Sequence, residues 1–474
     1  MIDPSPEQPG PLQRLEDSQC PLRSLMTDRL PMSPSITIAS AALPKVAYGK
    51  GGHVYDVDGQ CYVDGSGGPA VYSLGYGNEE VIEAIHHQLT RVMHGYRHTF
   101  TSDPLEELTA LIAEQCGADL DQMVFVSGGS EAVESAMKIA LQYHSARGEE
   151  TRRRFISRQR SWHGNTLGAL SISGFKARRE AYEGALLPSC LLSPANVYRP
   201  PAGVASADVA AFCADELEQA ILRLGAARVA AFVFEPVVGA AGGVVPAPPG
   251  YAARIREICD RYGVLMIADE VMCGSGRTGT FRALAHDGVT PDIMAIAKGL
   301  GGGYVPLGAT VYRRRIGEVL HARHGGPQTA HTFTGHTAAC AAGVAVQKIM
   351  RREGLFDHVR TNSQRLFGLL RAALGAIVAV GDIRGRGYFA GIELVADRET
   401  KQPFDPAHQL FLRVRQRSLA NGLICYPSGG NVDGVAGDTI IIAPRYDSPD
   451  TELVEIVEKL ALSIKEALAQ IGAS

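Results

Sequence analysis

Residues 291–309 read PDIMAIAKGLGGGYVPLGA. The apolar run 293–297 ends in Lys298, and Gly299, Leu300 and three further glycines at 301–303 follow at once. A charged lysine at the tip of a buried strand is costly unless it does something, because burial penalises the ammonium. A second apolar run, 264–268, ends in Asp269 and Glu270. An amine and an acid at the ends of two strands suggest one site. An easily deprotonated lysine forms an imine with an aldehyde cofactor, and an aspartate keeps a pyridine nitrogen protonated. Those two roles are the core of pyridoxal phosphate (PLP) chemistry. Taken alone, Lys298 is equally well read as a lysine whose stem lies along a sheet edge with its ammonium in water.

Composition bounds the class. The chain has 474 residues, enough for two to four domains or for one large α/β unit with a smaller partner. At 45% hydrophobic and 20% charged it can bury a large core and does not read as disordered. A net charge of -4, with no basic stripe among aromatics, argues against nucleic acid. The nine cysteines form no CxxC pair and no zinc pattern, so no metal site is expected. They read as scattered thiols of a reducing compartment, which predicts a cytoplasmic protein. No apolar run is long enough for a membrane span. The first thirty residues lack a basic start with an apolar core, so they are no secretory signal. They carry Pro4, Pro6, Pro9, Pro11 and Pro21, and 1–30 reads as a flexible arm.

From 46 to 65 the pattern is a hairpin turning at Asp58-Gly59. A glycine- and tyrosine-rich stretch occupies 65–77, and helices are expected at 79–93 and 104–115. Strands at 123–126, 154–157, 229–234, 265–268, 293–297 and 308–311 then alternate with helices, notably 130–144 and 251–262. That alternation predicts an α/β fold, a mostly parallel sheet sandwiched by helices. Beyond Gly335 the character changes. Helices at 337–352, 356–374, 405–420 and 450–470, around a segment at 388–395, form a smaller α+β unit. The expected division is 31–75 as the N-terminal part of a small domain, 76–335 as a large cofactor domain and 336–474 as the C-terminal small domain.

Several short runs carry chemistry. SGGSEA at 127–132 lies between a strand and a helix. Unpaired N–H groups at a helix start favour an anion, and Gly129 lets the backbone approach it while the Ser130 hydroxyl donates. The same run also fits an ordinary glycine turn with a serine cap. SWHGNT at 161–166 holds Trp162, the single tryptophan, which could stack on a cofactor ring or simply fill a core. His163 has no ligand spacing around it. Glu235 ends the strand 229–234, at the sheet edge where open α/β sheets bind ligands. Val271 follows Asp269 by two and would share its side of an extended chain. GSGRTG at 274–279 matches a dinucleotide fingerprint, and with it a nucleotide-linked oxidoreductase. It lies too far past the strand end, and no helix opens at it. His94 and His98 are spaced by four but lack an acidic partner.

Six runs in order make the chain resemble a class III aminotransferase, of the PLP-dependent fold type I group that includes the omega-amino-acid and amine transaminases. They are SGGSEAVESAMKIA (127–140), SWHGNTLGALSISG (161–174), FEPVVGAAGG (234–243), LMIADEVMCGSGRTG (265–279), PDIMAIAKGLGGGYVPLGA (291–309) and HTFTGH (331–336). The resemblance runs from about residue 45 to the C-terminus. It implies a small domain built from both termini. It implies that Gly129 and Ser130 hold the PLP phosphate, Trp162 and Val271 flank the ring, Asp269 pairs with its nitrogen and Lys298 is the Schiff-base lysine. His163 and Glu235 support the site, and Thr332 reaches the cofactor of the other subunit of a homodimer. The activity implied is ping-pong transfer of an amino group from an amine or amino acid to a keto acid, pyruvate by analogy. The group also contains an aminomutase, decarboxylases and epimerases, which the cofactor motifs do not separate.

The chain departs from the ornithine and 4-aminobutyrate type, whose run reads EPxxGEAG. Ala240 stands where that glutamate would be, and Ile441 where its arginine partner would be. The loop 434–438 also lacks the mobile arginine of several amine-type members. A less polar pocket is expected, favouring primary amines or long amino compounds. Tyr72 and Arg445 are the substrate-side candidates, with Arg445 as the anchor for the acceptor's carboxylate.

Overall fold

A computed structural model describes residues 43–117 and 119–473. The expected arm at 1–30 lies outside the described residues. From Val46 onward the chain forms one compact unit.

Seven strands make the central sheet, in the order Leu120–Val126, Gly308–Arg313, Ile293–Ile296, Leu265–Asp269, Val229–Phe234, Arg154–Arg158, Ser189–Leu192. Gly308–Arg313 runs antiparallel to both neighbours, and the other pairings are parallel. Six strands therefore deliver their carboxyl ends to one edge. The apolar runs are continuous because both faces are covered. Val124, Val126, Ala231, Val233, Leu265, Ile267, Ile293 and Ala295 pack in one cluster with the helix Gly129–Ala146. The alternate residues face the other way. Phe232, Phe234, Met266 and Ala268 meet the helices Val209–Leu224 and Tyr251–Tyr262, and Phe125, Met294, Ile296 and Val311 meet Asp103–Cys116 and Thr337–Arg352. The period of two along each strand thus builds both layers.

A second sheet, antiparallel throughout, has the order Val380–Arg386, Phe389–Leu394, Asp438–Ile442, Tyr426–Gly429. The hairpin His53–Asp56 and Cys61–Asp64 forms as expected, its turn held by Asp56 accepting from the N–H groups of Asp58 (3.0 Å) and Gln60 (2.9 Å). Cys61–Asp64 then pairs in parallel with Leu423–Ile424. The smaller α+β part is thus built from both ends of the described chain. Thr337–Arg352 shares its buried residues between this part and the large sheet, with Ala342 and Val346 on one side and Ala339 and Cys340 on the other.

Two expectations need correction, and the reading of 274–279 holds. Ser189–Leu192, a short edge strand that begins with serine, carried no apolar run to reveal it. The chain leaves the extended form after Asp269, so Val271 sits in a turn and shares no strand face with it. The run 274–279 opens no helix. Its Arg277 is 1% exposed and donates to the carbonyls of Tyr72 (2.8 Å), Tyr388 (3.1 Å) and Pro444 (2.5 Å). Its guanidinium lies 4.6 Å from the centre of the Tyr446 ring. The apparent fingerprint is a clamp that ties three distant segments to the turn after the Asp269 strand.

Among the described residues no helix is long and apolar enough to cross a membrane. The eight cysteines among them are all free.

Candidate active site

The carboxyl edge of the large sheet gathers the site. Lys298 follows one strand, Asp269 ends the next, Glu235 follows the third, and Trp162 and His163 follow the fourth. Gly129 and Ser130 open the helix after the edge strand Leu120–Val126. Gly129, Ser130, Trp162, His163, Gly164, Glu235, Asp269, Val271, Met272 and Lys298 line one cavity of about 130 Å³. Eight of these ten were read from the sequence. Met272 and Gly164 were not, although both lie inside the runs that carry the family resemblance.

Lys298 opens a short 3-10 turn with φ at +49°. A lysine in this left-handed region costs about 1 kcal/mol or more, strain that surrounding structure must hold in place. The side chain borders the cavity and so is only partly covered by area. The cavity is nevertheless walled by protein, and burial pulls the ammonium down to about 8 against the opposing pull of Asp269 and Glu235. The lysine is therefore far closer to its neutral, reactive form than an exposed one.

Asp269 is 3% exposed and stays satisfied. One oxygen pairs with Nδ1 of His163 at 2.8 Å, and the other accepts from the Val271 N–H at 3.0 Å. Burial alone would lower the His163 pKa, but the hydrogen bond and charge of Asp269, with Glu235 behind, outweigh it and raise it. Nε2 of His163 is buried with no partner. The Ser173 hydroxyl accepts from the His163 N–H at 2.9 Å, which fixes the loop. Glu235 accepts from the N–H groups of Trp162 (2.9 Å) and Gly239 (2.8 Å). Burial is the main cause that raises its pKa to about 7. Glu270 turns away and binds the N–H groups of Ala283 and Leu284, so it is no part of the site.

The residues fit a pyridoxal phosphate. The Asn165 N–H donates to the Ser130 hydroxyl at 2.9 Å, leaving the hydroxyl hydrogen free for an anion. A Cβ on Gly164 would stand 2.7 Å from that same hydroxyl, and one on Gly129 would stand 2.7 Å from Val271, so both glycines are needed for this cradle. The helix beneath is 18 residues long, with its first N–H groups turned to the cavity edge. An acid, a lysine of lowered pKa and an indole complete the set.

The substrate-side expectations fare differently. Ala240 and Ile441 belong to one apolar cluster with Ala70, Met272 and Phe389, so the missing charge pair is replaced by packing. Tyr72 is buried, donates to the Asp64 carbonyl and lies outside the cavity lining. Arg445 is not the free anchor expected of it. Its guanidinium is bound by Asp447 at 2.6 Å and by Glu452 at 3.1 Å, and it does not line the cavity. Thr332 is exposed on a turn and lies outside this chain's own cavity lining.

The family model for class III aminotransferases matches residues 39–463. The chain is 39% identical over 418 residues to a Bacillus subtilis (strain 168) protein named uncharacterized aminotransferase YodT, covering 88% of this chain and 94% of that one. Among solved structures, an amine transaminase from an uncultivated Pseudomonas species in its PLP-bound form is similar with a TM-score of 0.84 and 32% identity, covering 93% of this chain and 99% of that one. An (S)-enantioselective omega-transaminase from Thermomicrobium roseum is similar with a TM-score of 0.83 and 33% identity, over 90% and 93% of the two chains.

The lowered lysine pKa has a measurable consequence. In cofactor-free protein, trapping of a small aldehyde on Lys298 by borohydride rises through about pH 8 and then levels, because only the neutral amine reacts. Peptide mapping of the labelled lysine across pH checks this. A rise delayed to near the ordinary lysine value of 10.5 would contradict the burial argument.

Proposed function

Because the chain belongs to the class III aminotransferases and is a PLP-dependent transaminase of fold type I, we propose that it moves an amino group from an amine or amino-acid donor to a keto acid, with pyruvate as acceptor, in two half-reactions at one site. The observation that carries the reading is the convergence of Lys298, Asp269 and Trp162 on one cavity beside the glycine–serine cradle.

Pyridoxal phosphate, when bound, supplies an aldehyde that joins the substrate's nitrogen and a ring that withdraws the electron pair left at carbon. Gly129 and Ser130 would hold its phosphate, and Trp162 and Val271 would flank its ring. Asp269, fixed by His163 and the Val271 N–H, would pair with the ring nitrogen. Lys298 would accept the proton of the substrate carbon at its Nζ, a task that needs an amine neutral near working pH. Glu235 holds the Trp162 backbone and so the indole.

The donor side is apolar. Removing one member of a buried charge pair strands the other at about 3–5 kcal/mol. The joint presence of Ala240 and Ile441 avoids that cost and removes a charge pair that would favour dicarboxylate-like donors, which leaves primary amines or long amino compounds as the better fit.

A homodimer with composite sites is part of the proposal, and the exposed apolar side chains support it. Met93, Tyr96, Phe100 and Phe333 are all exposed. They stand around the turn that carries Thr332, where Thr337 donates to the Val92 and Met93 carbonyls and Phe333 packs edge-on to His94 at 5.9 Å. Such a patch calls for cover, and a second copy would bring Thr332 to the neighbouring cradle. Sedimentation at low concentration should find a dimer, and a fully active monomer would refute this.

Two substitutions test the roles. Lys298→Ala should abolish turnover with the fold retained, and near-normal transamination by it would sink the assignment. Asp269→Asn should keep the cofactor yet lose on the order of a thousandfold in rate, about 4 kcal/mol, since an amide holds a pyridinium poorly. A loss under about tenfold would mean that another group protonates the nitrogen.

A further inference from the structure

A keto acid brings a carboxylate into a site whose own lining is acidic. Asp269 and Glu235 both line the cavity, while Lys298 is committed to the amine and His163 to Asp269. A second carboxylate is therefore repelled from the Asp269 end and must lie toward Trp162, the partly exposed wall. Arg445 is already engaged by two acids.

Arg178 does not itself line the cavity but lies against Trp162, which does. The Arg178 guanidinium lies 4.6 Å from the centre of the Trp162 ring and 5.1 Å from that of Phe175. The residue is exposed, and among the described residues no acid pairs with it, whereas its neighbour Arg179 is bound by Glu183. A cation resting on an exposed indole is held by only about 0.5–1 kcal/mol, so it moves readily to a better partner. Two further cations stand along the same edge. Arg160 donates through Nε (3.2 Å) and a terminal nitrogen (3.1 Å) to the Val432 carbonyl. Lys176 presses its stem on Gly434, its Cβ 2.7 Å from where a side chain there would begin. The loop they border, 430–437, is closed by the Gly430 N–H on the Gly437 carbonyl at 2.9 Å. Its single carboxylate, Asp433, accepts from the N–H groups of Val435 (2.8 Å) and Ala436 (2.7 Å). Arg160 and Lys176 thus border a loop whose one acid already accepts two N–H groups. Burial pulls the Arg160 pKa down and Asp433 only partly offsets it, the mark of a guanidinium short of negative charge.

We propose that Arg178 receives the carboxylate of the keto-acid acceptor at the Trp162 edge of the cleft. This rests on the transaminase reading with a keto-acid acceptor, and deepens it by naming the residue that tells an acid acceptor from a neutral one. A guanidinium suits the task because its planar fork meets both carboxylate oxygens.

The test compares pyruvate with propanal, a three-carbon acceptor without the carboxylate, using holoenzyme and one amine donor. In Arg178→Gln the ratio of kcat/KM for pyruvate to that for propanal should fall at least tenfold, mainly through the pyruvate KM, and Arg178→Lys should recover part of it. A ratio unchanged within twofold overturns the assignment while leaving the transaminase reading intact. Failure of the wild type to aminate either acceptor overturns the reading and the assignment together. A second readout does not depend on turnover. Trp162 is the only tryptophan, so drawing the cation off its ring alters the protein's emission. Titration of holoenzyme with unreactive propionate should give a saturable change in the wild type that Arg178→Gln loses. The same saturable change in the variant overturns the proposal.

Discussion

A buried carboxylate has to be given partners, and the site is arranged around that need. An isolated ion at the end of an internal strand would neutralise or unfold its surroundings. Asp269 avoids this by hydrogen-bonding the His163 ring and the Val271 N–H. Burial acts on the groups around it too. His163 is drawn toward its charged form, Glu235 is pushed up to about 7 by its own burial, and Lys298 falls to about 8. The useful outcome is a hydrogen-bonded carboxylate beside an amine that burial has drawn toward its neutral form. That pairing is what proton transfer at carbon requires.

The sheet makes this arrangement affordable in geometry. Five of the six strands that end at one edge carry the site residues, and the loops after them are short or glycine-hinged, so the groups converge without long side chains. The one long cation deep in the fold, Arg277, serves assembly. It binds three carbonyls from segments far apart in sequence and presses its face on Tyr446.

Much of this was legible in the amino-acid order because local rules and global fold agree. Apolar runs bounded by a single charged residue marked the strand ends, and Lys298, Asp269 and Glu235 all lie where those runs stop. The joint loss of charge at Ala240 and Ile441 was visible as a pattern, and both fall in one apolar cluster. What failed was inference beyond an element's end. Val271 was placed by strand alternation two residues past the point where the strand stops. Arg445 was singled out as an unusual residue, yet its acids stand two and seven positions later, and only the fold turns Glu452 back onto it. The cations around Trp162 left no signal, because Arg160 meets Val432 across a gap of 272 positions and a guanidinium on an indole has no sequence pattern.

The central claim is amino-group transfer governed by Lys298 and Asp269 in an apolar donor site. The most direct measurement gives holoenzyme a primary amine and no acceptor, and quantifies the cofactor released on denaturation. The account predicts one equivalent of pyridoxamine phosphate per site together with the carbonyl product, and far slower conversion with glutamate as the donor. Unchanged pyridoxal phosphate, with the amine isomerised or decarboxylated in its place, would contradict it.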